Sequence, residues 1–158
     1  MHWNFCSVIF FRDENCMKLR KLTIGDHPEL IKLWKRSGLP YKPKGRDGRA
    51  HIAREMAANP GLFIGAFDGD ILVGAIVATH DGRKGWLNRV AVDPDYRRQG
   101  LARKLTLAGE RSLRGQGIRI FGLLIHSYNR ASLKLAQAMG YTLHRDILYL
   151  SKRDSDHV

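Results

Sequence analysis

Residues 92–105 read VDPDYRRQGLARKL and lie where an apolar strand pattern gives way to a helical one. Pro94 prevents simple continuation of the strand, and from Gly100 apolar residues recur at helical spacing. The amides of residues 99–103 are then the unpaired donors of a helix N-terminus, which attracts anions. Gly100 leaves room for an anion to approach. Three arginines add positive charge: Arg97, Arg98 and Arg103.

These residues alone leave two interpretations open, a diphosphate site and an ordinary turn whose arginines point into solvent. The segment lacks the lysine followed by serine or threonine of a Walker phosphate loop. Its glycine spacing differs from that of a Rossmann fingerprint, and no suitably placed acidic residue marks a ribose site. Neither of these nucleotide-binding classes is indicated.

The surrounding patterns predict an α+β domain with a mixed, mostly antiparallel sheet of about six to seven strands and about four flanking helices. Turn signals between the central strands favour consecutive antiparallel hairpins. Strands are predicted at residues 18–22, 62–67, 71–79, 86–92, 118–125, 141–143 and 147–150. Helices are predicted at residues 25–38, 49–61, 100–115 and 129–140.

The chain of 158 residues predicts a single domain at residues 17–153, followed by a short tail at 154–158. Residues 1–16 are apolar but lack a basic start and a cleavage site, so we expect an N-terminal extension that is an extra edge strand or disordered. Cys6 and Cys16 have no metal-site spacing, so no metal is expected. Free thiols and the absence of a membrane signal predict a cytoplasmic protein.

Lysine and arginine number 27 against 15 acids, which gives a net charge of +12 and predicts attraction to phosphates or acidic surfaces. One class that fits this charge is a basic nucleic-acid-binding module, prompted by residues 41–49. The basic residues are spread along the chain, and no nucleic-acid-binding motif occurs. Nucleic acid is therefore not the expected partner.

Two segments in order carry a resemblance to a known family. VAVDPDYRRQGLA, residues 90–102, resembles the acetyl-CoA-binding motif of the GNAT superfamily of N-acetyltransferases. NRASLKLAQAMGY, residues 129–141, resembles that family's second signature, with Asn129 opening a helix. Within the superfamily the chain is most similar to small bacterial acetyltransferases of the YpeA type.

The resemblance implies that acetyl-CoA is the cosubstrate and that the family's fourth and fifth strands splay apart to admit the pantetheine arm. It also implies acetyl transfer to a primary amine of a small molecule, a peptide N-terminus or a lysine, by direct attack in a ternary complex. The residues it assigns to cofactor binding are Val90, Ala91, Val92, Arg97, Arg98, Gln99, Gly100, Leu101, Ala102, Arg103 and Asn129.

For the chemistry, the resemblance assigns polarisation of the thioester carbonyl to the backbone amide of Val92. The tyrosine that protonates the leaving thiolate in many members is Ala136 here, and the glutamate base of some members is Leu124. The substitutes at hand are Tyr128 as the acid and His126 as the base. Asn129 also fits the simpler role of a helix N-cap, and Asp47 is expected to be solvated loop surface.

The two missing groups keep a second function open, a catalytically silent regulator that binds acyl-CoA. The expected partners are acetyl-CoA and an unidentified amine acceptor, with no membrane, and a homodimer is left open.

Overall fold

The computed structural model describes residues 17–155. The expected N-terminal extension, including its candidate edge strand and both cysteines, lies outside the described residues, as do the last three residues of the expected tail.

Five strands form one sheet in the order β1-β2-β3-β4-β5. The first four pair antiparallel, with β2–β3 and β3–β4 as consecutive hairpins, and β5 pairs parallel with β4. This confirms the predicted hairpins, whose turns at residues 69–70 and 81–84 follow the Asp-Gly signals. The strands are β1 Met17–Lys21, β2 Phe63–Asp68, β3 Ile71–His80, β4 Gly85–Val92 and β5 Phe121–Gly122.

Four α-helices flank the sheet, as predicted, so the α+β class with a mixed, mostly antiparallel sheet is confirmed. They are α1 His27–Arg36, α2 Arg49–Ala58, α3 Leu101–Gly115 and α4 Arg130–Ala138. Two single turns of 3₁₀ helix precede α1 and follow β4, at Ile24–Asp26 and Pro94–Tyr96.

Each face of the sheet carries its own apolar core, because α1 and α3 pack on opposite sides. The apolar stripe of α3 includes Leu105 and Leu113, both fully buried against the sheet. On the other face, Leu33 and Trp34 of α1 are fully buried with Ile52 of α2. The end of β4 therefore lies between α3 on one face of the sheet and α1 and α2 on the other.

Among residues 17–155 the sheet has five strands, fewer than the predicted six to seven. Of the predicted strand at residues 118–125, only Phe121–Gly122 pairs, and the segments at 141–143 and 147–150 form no strand. An extended segment becomes a strand only where a neighbouring edge supplies hydrogen bonds. A two-residue β5 offers too short an edge for the apolar C-terminal segments to join.

The contact between α3 and β4 depends on Gly109, and we expect Gly109→Ala to lower the free energy of unfolding by about 2 kcal/mol. A Cβ atom at this position would lie 2.5 Å from Leu87 Cδ2, and Leu87 is buried and cannot move aside. Gly115→Ala in the same helix meets no atom within 4 Å and should be neutral or stabilising. Urea unfolding measures the free energy of unfolding of both variants. An equal change in Gly109→Ala and Gly115→Ala would contradict the close packing of α3 on β4.

Candidate active site

The opening beside β4 begins where its pairing with β5 stops. Only Gly85 and Trp86 of β4 pair with β5, opposite Phe121 and Gly122. Among residues 17–155, the remainder of β4, residues 87–92, has no strand on that side. The C-terminal part of β4 therefore has an open edge on the side where the resemblance implied a splayed strand.

A β-bulge changes the direction of the backbone groups along this open edge. Between Asn88 and Ala91, two residues of β4, Arg89 and Val90, lie opposite the single residue Ile76 of β3. Arg89 adopts a left-handed φ of 50°, unusual for a residue with a side chain. A bulge inserts one unpaired residue, so the alternation of backbone groups reverses beyond it.

The backbone pairing shows which amides face the opening. The Asp93 N–H donates to the Val73 carbonyl of β3 at 2.8 Å. In an antiparallel ladder, the N–H and C=O of the preceding residue, Val92, then point away from β3. Val90 shares that direction, while Ala91 is directed toward β3. Of the three residues predicted to pair with pantetheine, Val90 and Val92 present their amides to the opening.

The junction after β4 provides unpaired donors beside this opening. Lys104 N–H donates to the Gly100 carbonyl at 3.1 Å, and this is the first bond of α3. The amides of residues 101–103 precede it and have no acceptor within the helix. Gly100 has a φ of 76°, and a Cβ atom there would meet nothing within 4 Å. The space above these amides is open to a ligand.

The arginines of the junction have different surroundings. Arg97 donates through its guanidinium to the Ser37 carbonyl at 3.2 Å and to the Val92 carbonyl at 3.4 Å, so it ties β4 to the end of α1. Arg98 and Arg103 are exposed and form no hydrogen bond or ion pair within the described part of the chain. Their charges are available to an anion at the start of α3.

The second predicted motif lies at the start of α4. Asn129 Oδ1 accepts the Ser132 N–H at 3.2 Å, which confirms its role as the helix N-cap. Its predicted contact with the cofactor stays a prediction. The predicted acid and base candidates, Tyr128 and His126, lie beyond the end of β5 at Gly122 and are not on a strand. Their rings instead stack with centroids 5.0 Å apart, and 77% of Tyr128 is exposed.

Comparison with known proteins identifies the family. The model of the acetyltransferase (GNAT) family matches residues 12–141. An acetyltransferase of Sodalis glossinidius is 31% identical over 137 residues, covering 87% of this chain and 95% of the relative. One of Photorhabdus laumondii is 30% identical over 138 residues, with the same coverage. The chain belongs to the GNAT family.

Solved structures show the same fold at low sequence identity. The PaiA N-acetyltransferase of Thermoplasma acidophilum, in complex with coenzyme A, superimposes with a TM-score of 0.71 at 22% identity, covering 82% of this chain and 92% of that one. AAC(6')-Iy, in complex with a bisubstrate analogue, gives a TM-score of 0.71 at 20% identity, covering 88% and 99%. This GNAT protein is an acetyl-CoA-dependent N-acetyltransferase. The YpeA-type placement stays a prediction.

The sequence analysis predicted no membrane among the partners of this enzyme. Across residues 17–155, no helix combines the length and the apolar character needed to cross a bilayer.

On the α1 face of this GNAT enzyme, Arg89 extends from the bulge toward the loop between α1 and α2. Its guanidinium carbon lies 3.8 Å from the centre of the Trp34 ring, a cation–π contact. Nη2 donates to the Pro40 carbonyl at 3.0 Å, and Nη1 lies 3.5 Å from Asp47 Oδ1. Burial lowers the pKa of Arg89, yet the group stays charged at neutral pH.

Asp47 was expected to be solvated, and this is wrong: only 3% of the residue is exposed. Asp47 Oδ2 accepts the Lys42 N–H at 2.6 Å, a bond within the loop between α1 and α2. The other oxygen of Asp47, Oδ1, faces Arg89. A charged residue in a basic, proline-rich loop carries no sequence signal for burial. The loop between α1 and α2 is thereby anchored to the bulge of β4.

An open cavity of about 620 Å³ lies between this loop and the start of α2. Four exposed cations are among its lining residues, and no lining residue is acidic. They are Lys44, Arg46, Arg49 and Arg54. The cavity therefore favours a negatively charged group.

Proposed function

We propose that this enzyme transfers the acetyl group of acetyl-CoA to a primary amine by direct attack in a ternary complex. The diphosphate binds at the amides of residues 101–103, and the pantetheine arm lies along β4 in the opening toward β5. Support comes from the unpaired edge of β4 and from the open space over Gly100. A strand-like amide chain satisfies such an edge as a missing strand does.

The two amides on the open edge take different roles in this proposal. The arm extends from the start of α3, so it passes Val92 before it reaches Val90. One strand repeat, about 7 Å, separates the two amides. Val92 therefore holds the arm, and Val90 donates to the thioester carbonyl as its charge develops. This proposal gives the polarising role to the amide of Val90, whereas the resemblance had assigned it to the amide of Val92.

The acceptor is proposed to be a primary amine in a molecule that also carries a negative group, such as a carboxylate or a phosphate. The observation behind this proposal is the cavity lined by four cations, which adjoins the loop that Asp47 and Arg89 fix to β4. A cation-lined cavity raises the local concentration of anions and repels purely cationic amines such as polyamines.

A panel of matched amines tests this acceptor class. Pairs that differ only in the negative group, such as phosphoethanolamine with ethanolamine and lysine with cadaverine, are compared by release of the CoA thiol. We expect the anionic member to have a kcat/KM at least about tenfold higher, because one favourable ion contact is worth roughly that factor. Lys44→Gln should reduce this preference, since Lys44 lines the cavity without an ion-pair partner in residues 17–155.

Lys84→Gln is the matched control, because Lys84 is equally exposed but lies in the hairpin between β3 and β4. A preference for polyamines over anionic amines would contradict the proposed acceptor class. Acetyl-CoA binding with no turnover across the panel would instead favour the silent acyl-CoA-binding regulator.

A further inference from the structure

Glu55 differs from the other shielded carboxylates of the described chain. Five carboxylate residues among 17–155 are partly or fully buried, and four of them have a hydrogen-bonding partner: Asp26, Asp47, Asp93 and Glu110. Glu55 is half-buried, and its carboxylate forms no hydrogen bond or ion pair with any described residue. A half-buried carboxylate without a protein partner is free to bind a ligand.

Glu55 lies in the second half of α2, Arg49–Ala58. Its carboxylate is close enough to the Arg89 guanidinium and to Asp47 for their charges to act on it. His51, one turn earlier on the same helix, lines the cationic cavity. Two buried donors of this region, Arg89 Nε and Trp34 Nε1, also lack partners among the described residues. Both donors are buried, whereas the half-buried Glu55 is within reach of a substrate.

Building on the proposed function, we propose that Glu55 is the catalytic base that receives the acceptor ammonium group and removes its proton. The ammonium supplies the partner that the carboxylate lacks, while the cationic cavity holds the negative part of the same molecule. Arg89 lies at the bulge next to Val90, and its charge acts on Glu55, so the carboxylate lies near the strand on which the thioester is proposed to lie.

The proton and bond changes balance without any further reagent. The ammonium group gives one proton to the Glu55 carboxylate and becomes a neutral amine. The amine nitrogen bonds to the thioester carbon, the carbon–sulfur bond breaks, and the second amine proton goes to the departing thiolate. Glu55 then releases its proton to solvent, so each turnover yields the acetamide, CoA thiol and one proton.

The surroundings of Glu55 favour its role as a base. Desolvation by burial raises the pKa of Glu55 above its ordinary value, and the Asp47 charge raises it further. His51 and Arg89 act in the opposite direction. A base with a raised pKa takes a proton from an ammonium group more readily than an exposed carboxylate does.

Glu55→Gln in the full chain tests the role of the carboxylate. With the panel amine that turns over fastest, we expect kcat/KM to fall about 100-fold, the lower range for loss of a general base. The wild-type rate should rise with pH as Glu55 loses its proton, and this limb should vanish in the variant. Glu55→Asp should restore part of the rate. Glu29→Gln, which removes an exposed ion pair on α1, is the control. It should change neither kcat/KM nor the rise of the rate with pH.

Two further measurements separate the possible failures. Stabilisation by acetyl-CoA should be equal in wild type and Glu55→Gln, which also shows that the variant is folded. Carbon-13 NMR should find one carboxyl with a raised pKa that is missing from Glu55→Gln. If Glu55→Gln kept the wild-type rate and pH profile, the proposed role of Glu55 would be overturned. Absence of acetyl-CoA stabilisation in the wild type would instead overturn the proposed cofactor site.

Discussion

Gly100→Asp is expected to abolish the stabilisation of this enzyme by acetyl-CoA. At a cofactor concentration of about 100 times its Kd, binding stabilises the native state by about 2.7 kcal/mol. For a chain of this size that corresponds to a rise in Tm of about 8 °C. A carboxylate at residue 100 would fill the open space over the α3 amides and repel the diphosphate. We expect the shift to fall to about 1 °C or less in thermal unfolding.

Gly117→Asp provides the matched control for the backbone. Gly117 also has a positive φ, 86°, and a Cβ atom there would meet nothing within 4 Å. It follows the other end of α3, about 20 Å from Gly100. Both variants carry similar backbone strain, so both lower the Tm of the free enzyme, but only Gly100→Asp should lose the cofactor shift. An undiminished shift in Gly100→Asp would contradict the diphosphate site.

The sequence predicted the strands, turns and helix starts around β4, α3 and α4 well because their signals are local. The Asp-Gly turns specify the hairpins, Pro94 ends the strand, and Gly100 marks the start of α3. Asn129 could be assigned as an N-cap because that role depends on residues only three positions apart. Each of these features is determined within a few residues, and the structure contains all of them.

The acceptor side depends on contacts between distant segments, which single-sequence patterns do not report. The positive φ of Arg89 arises from its place in the β3–β4 pairing, and arginine has no conformational preference that would predict it. Asp47 is buried by Arg89, 42 positions later, although its own segment looks like solvated loop. Glu55 carries no sequence signal for a role either, because the charges of Arg89 and Asp47 act on it only in the folded structure.

The bulge makes Arg89→Ala the substitution with the largest expected effect on stability. The variant removes the guanidinium that faces Asp47, packs on Trp34 and bonds to the Pro40 carbonyl. Asp47 would keep its burial but retain only the more distant and exposed Arg46, and weakening the pairing of a buried charge in this way costs several kcal/mol. We expect the free energy of unfolding in urea to fall by about 3 kcal/mol. Arg46→Ala, 4.0 Å from Asp47 and exposed, should cost no more than about 0.5 kcal/mol.

Arg89→Gly separates the backbone from the side chain. Glycine adopts a left-handed φ freely, whereas alanine is strained there by about 1 kcal/mol. We therefore expect Arg89→Gly to lose the same side-chain contacts yet unfold at higher urea than Arg89→Ala. Since the bulge directs Val90 and Val92 to the opening, Arg89→Gly should also keep its acetyl-CoA shift. If alanine proved the more stable of the two, the left-handed bulge would be contradicted, and with it the placement of the two amides.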